Sequence, residues 1–222
     1  MSSRDAILGA VRRSLGVGGE EAPRLAAVRD RLAHAPAGIV PARGQGEAAA
    51  RLATFVAEAE RVQASVVELA SADEVPKEIA RYLREANLPA TLRMGEDQRL
   101  AAMPWAQTSL EIARGPSDGH DLNAVSVAFA GVAETGTLAL ASGPDNPTTL
   151  NFLPDNHCVV LFAANIFGDF ESVFAKLREG YGKGHMPRTL NFISGPSRSA
   201  DIEQTLLLGA HGPRRLHIVV VR

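Results

Sequence analysis

The stretch "HCVVLFAANIFGDFESVFAKLREGY", residues 157–181, sets two periodicities side by side. From His157 to Ile166 nearly every position is apolar, as expected of a strand covered on both faces. Beyond Gly168, Phe170, Val173, Phe174, Leu177 and Tyr181 recur at three- and four-residue spacing, the stripe of an amphipathic helix. A fully buried strand that hands over to a helix is the building unit of a parallel sheet.

The same unit recurs on both sides of that stretch. Leu52, Phe55, Val56, Ala59 and Val62 mark a helix, SVVELA (65–70) a strand, and Val75, Ile79, Leu83 and Ala86 a second helical face. ATLRM (90–94) and SLEIA (109–113) read as strands, with an unclear stretch around Trp105 between them. In NAVSVAFAGVAETGTLALASGPD (123–145) small and apolar residues lead into the strand TLALAS. TLNFIS (189–194) is a strand, ADIEQTLLLGA (200–210) a helix closed by glycine, and LHIVVV (216–221) a terminal strand. The predicted class is α/β, a mostly parallel sheet flanked by helices.

Ahead of this core, residues 3–15 form a short helix with Ile7, Leu8, Val11 and Leu15 on one side. No period holds from Gly16 to Gly46, where Gly, Pro and Ala dominate, so residues 1–45 read as a helix and flexible arm before an α/β domain at 46–222. So short a helix cannot bury its apolar side alone, so docking on the core or on another subunit is expected, which would make a homo-oligomer through the arm.

Composition excludes several function classes. The 222 residues carry a formal net charge of −2, which gives no electrostatic case for nucleic acid or an anionic membrane surface. No apolar run approaches the length of a membrane span, and the N-terminus lacks the apolar centre of a secretory signal, so a cytoplasmic protein is expected. The single cysteine, Cys158, lies within an apolar run and reads as a buried, inert thiol. Six scattered histidines form no zinc-type array, there is no G-x-x-x-x-G-K-[ST] or G-x-G-x-x-G loop, and no serine occupies a G-x-S-x-G elbow. No intrinsic metal or cofactor is expected.

Three segments could carry chemistry. In SGPSRSADIE (194–203), Gly195 can expose N–H groups in a turn, Ser197 or Ser199 can cap a helix, and Arg198 can pair with a carboxylate or phosphate. Asp201 and Glu203 oppose the anion, because they already complement a helix N-terminus. Both a capped turn and an anion cradle stand. In HGPRR (211–215), His211 is either a cap or a general acid/base and Arg214 can reach a ligand or lie on the surface. If both segments bordered one parallel sheet they would fall at opposite edges, which argues against a joint site. In AETGTLAL (133–140), Thr135, Gly136 and Thr137 could bind an oxyanion beside Glu134 as base or nucleophile, or could simply form a hairpin.

Taken together, AETGTLAL, HCVVLF and ISGPSRSADIEQTLLLGAHGPRRLHIVVV resemble the LUD-domain family of lactate-utilisation proteins over roughly residues 47–222. The family form Ser-Gly-Pro-Ser-x-(Thr/Ser)-Ala-Asp-Ile-Glu is matched by Ser194 through Glu203, and Gly-x-His-Gly-Pro by Gly209 to Pro213. Glu134 stands where an acid usually precedes Thr-Gly-Thr. The resemblance implies a fold akin to ribose-5-phosphate isomerase and CoA-transferases, and a part in oxidising L-lactate to pyruvate. It implies work beside two partner proteins, one or both carrying iron–sulfur clusters. It makes Glu134 and His211 the catalytic candidates, with Thr135, Gly136, Thr137, Ser194, Gly195, Ser197, Arg198, Asp201 and Arg214 around a small anion. The alternatives are an independent enzyme on an acyl-CoA or phosphosugar, and a pure interaction module.

Overall fold

A computed structural model describes residues 2–34, 38–200 and 206–222. The chain divides into two units, Met1–Val40 and Pro41–Arg222. The first holds helices α1 (Ser3–Leu15) and α2 (Ala22–His34). Ser2 and Asp5 close a capping box at the start of α1, and Gly16 ends it with a left-handed φ of 64°. Neither helix buries a residue, so Ile7, Val11 and Leu15 on α1 and Val28 and Leu32 on α2 are exposed. The segment expected to be an arm without period therefore contains a second helix. Its stripe Leu25, Val28, Leu32 is regular, and Pro23 falls in the first turn, where the missing N–H costs no hydrogen bond.

The second unit contains α3 (Ala48–Arg61), β1 (Ser65–Leu69), α4 (Val75–Glu85), β2 (Thr91–Met94), a one-turn α5 (Gln98–Ala101), β3 (Glu111–Arg114) and β4 (Asn123–Val127). There follow β5 (Ala130–Val132), β6 (Thr137–Ala141), β7 (Asn156–Phe162), β8 (Ile166–Phe167), α6 (Phe170–Tyr181) and β9 (Leu190–Ile193). The chain closes with β10 (Arg198–Ala200), β11 (Leu206–Leu208) and β12 (Arg215–Val221).

Six strands form one sheet in the order β1-β12-β7-β4-β2-β3, parallel at every pairing, which meets the α/β expectation. β4 and β7 are buried almost throughout because both faces are covered. One face packs with α4 and Trp105 around Ile79, Leu83, Met94, Val125, Cys158 and Val219. The other packs under α3 around Phe55, Ala59, Leu138, Val159, Leu161 and Ile218.

Two departures from the sequence reading matter for the site. The strands TLALAS and TLNFIS do not join the parallel sheet. β6 and β9 pair antiparallel in a second sheet, β8-β5-β6-β9, because a tight turn at Ala133–Gly136 folds β6 straight back on β5. Nor is the stretch expected as a helix at 200–210 helical at its described positions. Arg198–Ala200 pairs antiparallel with Leu206–Leu208 as a ribbon, with Arg198 opposite Leu208. Residues 201–205, including the candidate Asp201, lie outside the described residues.

Candidate functional site at the amino edge of the sheet

Because β9 belongs to the second sheet, its carboxyl end arrives beside the amino ends of β7 and β12. This brings SGPSR and HGP together, against the expectation that they would sit at opposite edges. Ser194, Gly195, Ser197, Arg198, His211, Gly212 and Pro213 all line a cavity of about 260 Å³.

Ser197 fastens the two segments. Its N–H donates to the Pro213 carbonyl at 2.8 Å, its carbonyl accepts from Gly209 N–H at 3.0 Å, and its hydroxyl accepts from His211 N–H at 3.3 Å. Gly195 has φ of 73°, and a Cβ there would stand 2.2 Å from the Val62 carbonyl oxygen, so the turn presses on the end of α3 where a side chain has no room. Arg198 braces the same contact, donating from Nη2 to that oxygen at 3.1 Å. His211 is exposed at the rim. Arg214 is turned to Asp155, with Nε 3.8 Å from Oδ1, and is not among the cavity's lining residues.

The Thr-Gly-Thr loop connects through side chains. Thr135 Oγ1 lies 2.7 Å from Thr137 Oγ1, which lies 2.5 Å from Ser194 Oγ, a chain of three hydroxyls running to the cavity lining. Gly136 adopts φ of 61°, and a Cβ there would come within 2.2 Å of the Ala59 nitrogen on α3. Its glycine character thus serves the close approach of a helix. Glu134 is only 6% exposed, packed by its backbone against Gly168 and Arg43, and does not line the cavity.

Sequence reasoning missed the floor. Asn151 and His157, 0% and 1% exposed, both line the cavity. His157 Nε2 meets Ser126 Oγ at 3.0 Å, while its Nδ1 and both amide atoms of Asn151 are buried without a hydrogen-bond partner among the described residues. Burial drives the His157 pKa down to about 3, so the ring is neutral and offers the cavity one donor or one acceptor. Neighbouring buried amides show the contrast. Asn123 donates to the Pro89 and Thr91 carbonyls, and Asn156 donates to Leu122 and Asn123. Buried polar groups are almost always paired, so three atoms without a partner among the described residues, on two side chains of one cavity lining, single this cavity out. Phe152 and Phe192 line the same cavity with their side chains partly exposed. The available sequence signal was a histidine at the head of an otherwise continuous apolar strand.

Cys158, one residue on, faces the core, and burial pushes its thiol up to about 12. Among the described residues no group of three or more His, Cys, Asp or Glu is placed to share a metal ion, and no helix is long and apolar enough to cross a membrane.

A six-stranded parallel sheet with helices on both faces makes this an α/β protein. The LUD domain family model matches residues 123–221, the part of the chain that builds most of the cavity. Lactate utilization protein C of Exiguobacterium sp. is 31% identical over 184 residues, 77% of either chain. Lactate utilization protein C of a Geobacillus strain is 40% identical over 91 residues, which span 40% of this chain and only 38% of that relative. The crystal structure of a DUF162 family protein from Deinococcus radiodurans superposes with a TM-score of 0.59 at 26% identity, covering 80% of this chain and all of that one. The chain belongs to the LUD-domain family, among relatives of lactate utilization protein C.

Proposed function

We propose that this chain is a non-redox component of an L-lactate-utilising system, and that the amino-edge cavity receives a small 2-hydroxy- or 2-oxo-carboxylate. The observation that carries the reading is the floor of three unpartnered polar atoms on Asn151 and His157, in a cavity that Arg198 also lines. A hydroxyl or carbonyl oxygen satisfies the floor while the carboxylate meets the guanidinium. Relatives named for lactate utilisation support the same chemistry. Conversion of lactate to pyruvate releases two electrons. With one cysteine, buried in β7, this chain offers no set of thiolates for a cluster, so the electrons pass to iron–sulfur partner proteins. The chain uses no cofactor of its own, works in the cytoplasm, and associates with a second copy through the exposed apolar faces of α1 and α2.

Calorimetric titration with L-lactate and with pyruvate tests the ligand. The wild-type chain binds at least one of them, and both Asn151→Leu and Arg198→Ala weaken binding about tenfold or more. Absence of binding at millimolar ligand, or affinity unchanged in Asn151→Leu, overturns the assignment. Growth on lactate of a strain lacking the gene, and recovery of iron–sulfur proteins with the tagged chain, test the system; normal growth with no such partner recovered refutes it.

A further inference from the structure

A second cavity, of about 200 Å³, opens at the opposite, carboxyl edge of the parallel sheet. It lies between the ends of β2 and β4, where Asp97 and Val127 line it. These two neighbouring strands send the chain in opposite directions: β2 continues outward to the edge strand β3, β4 eventually returns inward to β7. The crevice at such a divergence is where open α/β sheets hold small ligands, and here both connections supply its walls, Asp97 and Arg99 from one and Phe129, Asp145 and Asn146 from the other.

The surrounding chain is built to keep this crevice shaped. The loop 143–147 leans on β2 so closely that a Cβ on Gly95 would stand 2.0 Å from the Asp145 carbonyl oxygen, and Glu96 N–H donates to the Pro144 carbonyl at 3.3 Å. Asp97, 5% exposed, holds the Arg99 guanidinium through two bonds, Nε to Oδ1 at 3.0 Å and Nη2 to Oδ2 at 2.6 Å. The same guanidinium sits 5.8 Å above the Phe162 ring centre, so its direction is fixed from two sides. Asn146, 3% exposed, donates from Nδ2 to the Ala141 carbonyl at 3.1 Å, yet its Oδ1 is buried with no partner among the described residues. Lys176, Asp145, Asn165 and Tyr181 add to the polar lining.

The charges select the guest. The lining carries two cations, Arg99 and Lys176, and two anions, Asp97 and Asp145, and so is neutral overall. Arg99 is bound to Asp97, Lys176 lies 3.6 Å from Glu179 outside the lining, and the cavity offers a cationic group and two acceptors, Asn146 Oδ1 and the Asp145 carboxylate. A net anion gains little from such a lining, and so does a net cation. We infer that the carboxyl-edge cavity is a binding site for a small zwitterion of the amino-acid class, its carboxylate toward Lys176 and Arg99 and its ammonium toward Asn146 Oδ1 and Asp145. An ammonium supplies the donors these two acceptors call for, and a hydroxyl supplies only one.

L-alanine and L-lactate give a clean comparison, since they differ only by an ammonium in place of a hydroxyl. In calorimetric titrations of the full chain, L-alanine binds, and ethylamine does not. Lys176→Met and Asp145→Asn, both at exposed positions where folding is insensitive, each weaken L-alanine binding about tenfold. Asn151→Leu, at the opposite edge, leaves it unchanged, which separates this site from the lactate site. No L-alanine binding at millimolar concentration, equal binding of ethylamine, or binding indifferent to both variants overturns the inference. So does L-alanine binding lost in Asn151→Leu, because the guest would then occupy the amino-edge cavity.

Discussion

Gly136→Ala separates the two readings of the Thr-Gly-Thr loop. An alanine held at φ of 61° pays roughly 1–2 kcal/mol for the left-handed conformation. Its Cβ would also stand 2.2 Å from Ala59 N, 2.6 Å from Glu58 C and 2.7 Å from Ala59 Cα, all backbone atoms that no rotamer change can move. Relief requires α3 to shift by about an ångström, which loosens Phe55 and Ala59 from the core beneath; overpacking of this kind costs about 1–3 kcal/mol. The expected loss is about 2–5 kcal/mol, a large share of the stability of a domain this size. Urea unfolding followed by the fluorescence of Trp105, buried and donating from Nε1 to the Leu100 carbonyl, reads it directly. Gly180→Ala is the control: it lies in α6 with nothing within 4 Å of the added Cβ and should gain up to about 1 kcal/mol. If Gly136→Ala unfolds within 1 kcal/mol of the wild-type chain, the helix-contact explanation is wrong and the loop's glycine must serve something else.

Asn151→Leu removes two orphaned polar atoms, so the ligand-free protein should become more stable by about 1–3 kcal/mol while losing carboxylate binding; a destabilised variant would mean the amide is satisfied after all. Acid should weaken the fold from near pH 6.5 downward. Burial holds His157 at about 3 and His217 at about 4, the latter despite Glu78 Oε1 at 3.2 Å from its Nε2. The unfolded chain takes up these protons near 6.5 and the folded chain does not, so stability present above 6.5 is lost as pH falls, by roughly 1.4 kcal/mol per unit per histidine. Urea midpoints that stay flat from pH 7 to 5 would refute this, and His217→Phe should halve the slope. A chain beginning at Pro41 retains every buried core residue among the described ones and should unfold as cooperatively as the full chain, but with the mass of a monomer by light scattering.

The sequence announced the parallel sheet because its strands are buried on both faces. HCVVLF and LHIVVV are apolar at almost every position, and α3, α4 and α6 show regular stripes between the strands. It misled where local signals imitate another element. SRSADIE has the serine and acids of a helix start, but Arg198–Ala200 finds a partner in Leu206–Leu208, and the pairing of one strand with another is invisible to periodicity. The sheet assignment of TLALAS and TLNFIS failed for the same reason, since a strand does not state its neighbour. The rim of the amino-edge cavity was legible as motif. Its floor was not, because Asn151 and His157 become significant only once folding strands their polar atoms away from every partner.

The hydroxyls of Thr135, Thr137 and Ser194 have a further consequence. Each carries one proton, and at spacings of 2.7 and 2.5 Å each bond in the row fixes the sense of the next. The row therefore has two cooperative polarities, one pointing its terminal proton out from Ser194 and one pointing it back toward Thr135. A guest that accepts from Ser194 selects the first, and a guest that donates selects the second. If the proposed carboxylate occupies the cavity, the direction of these three aligned dipoles differs between a carbonyl guest and a hydroxyl guest.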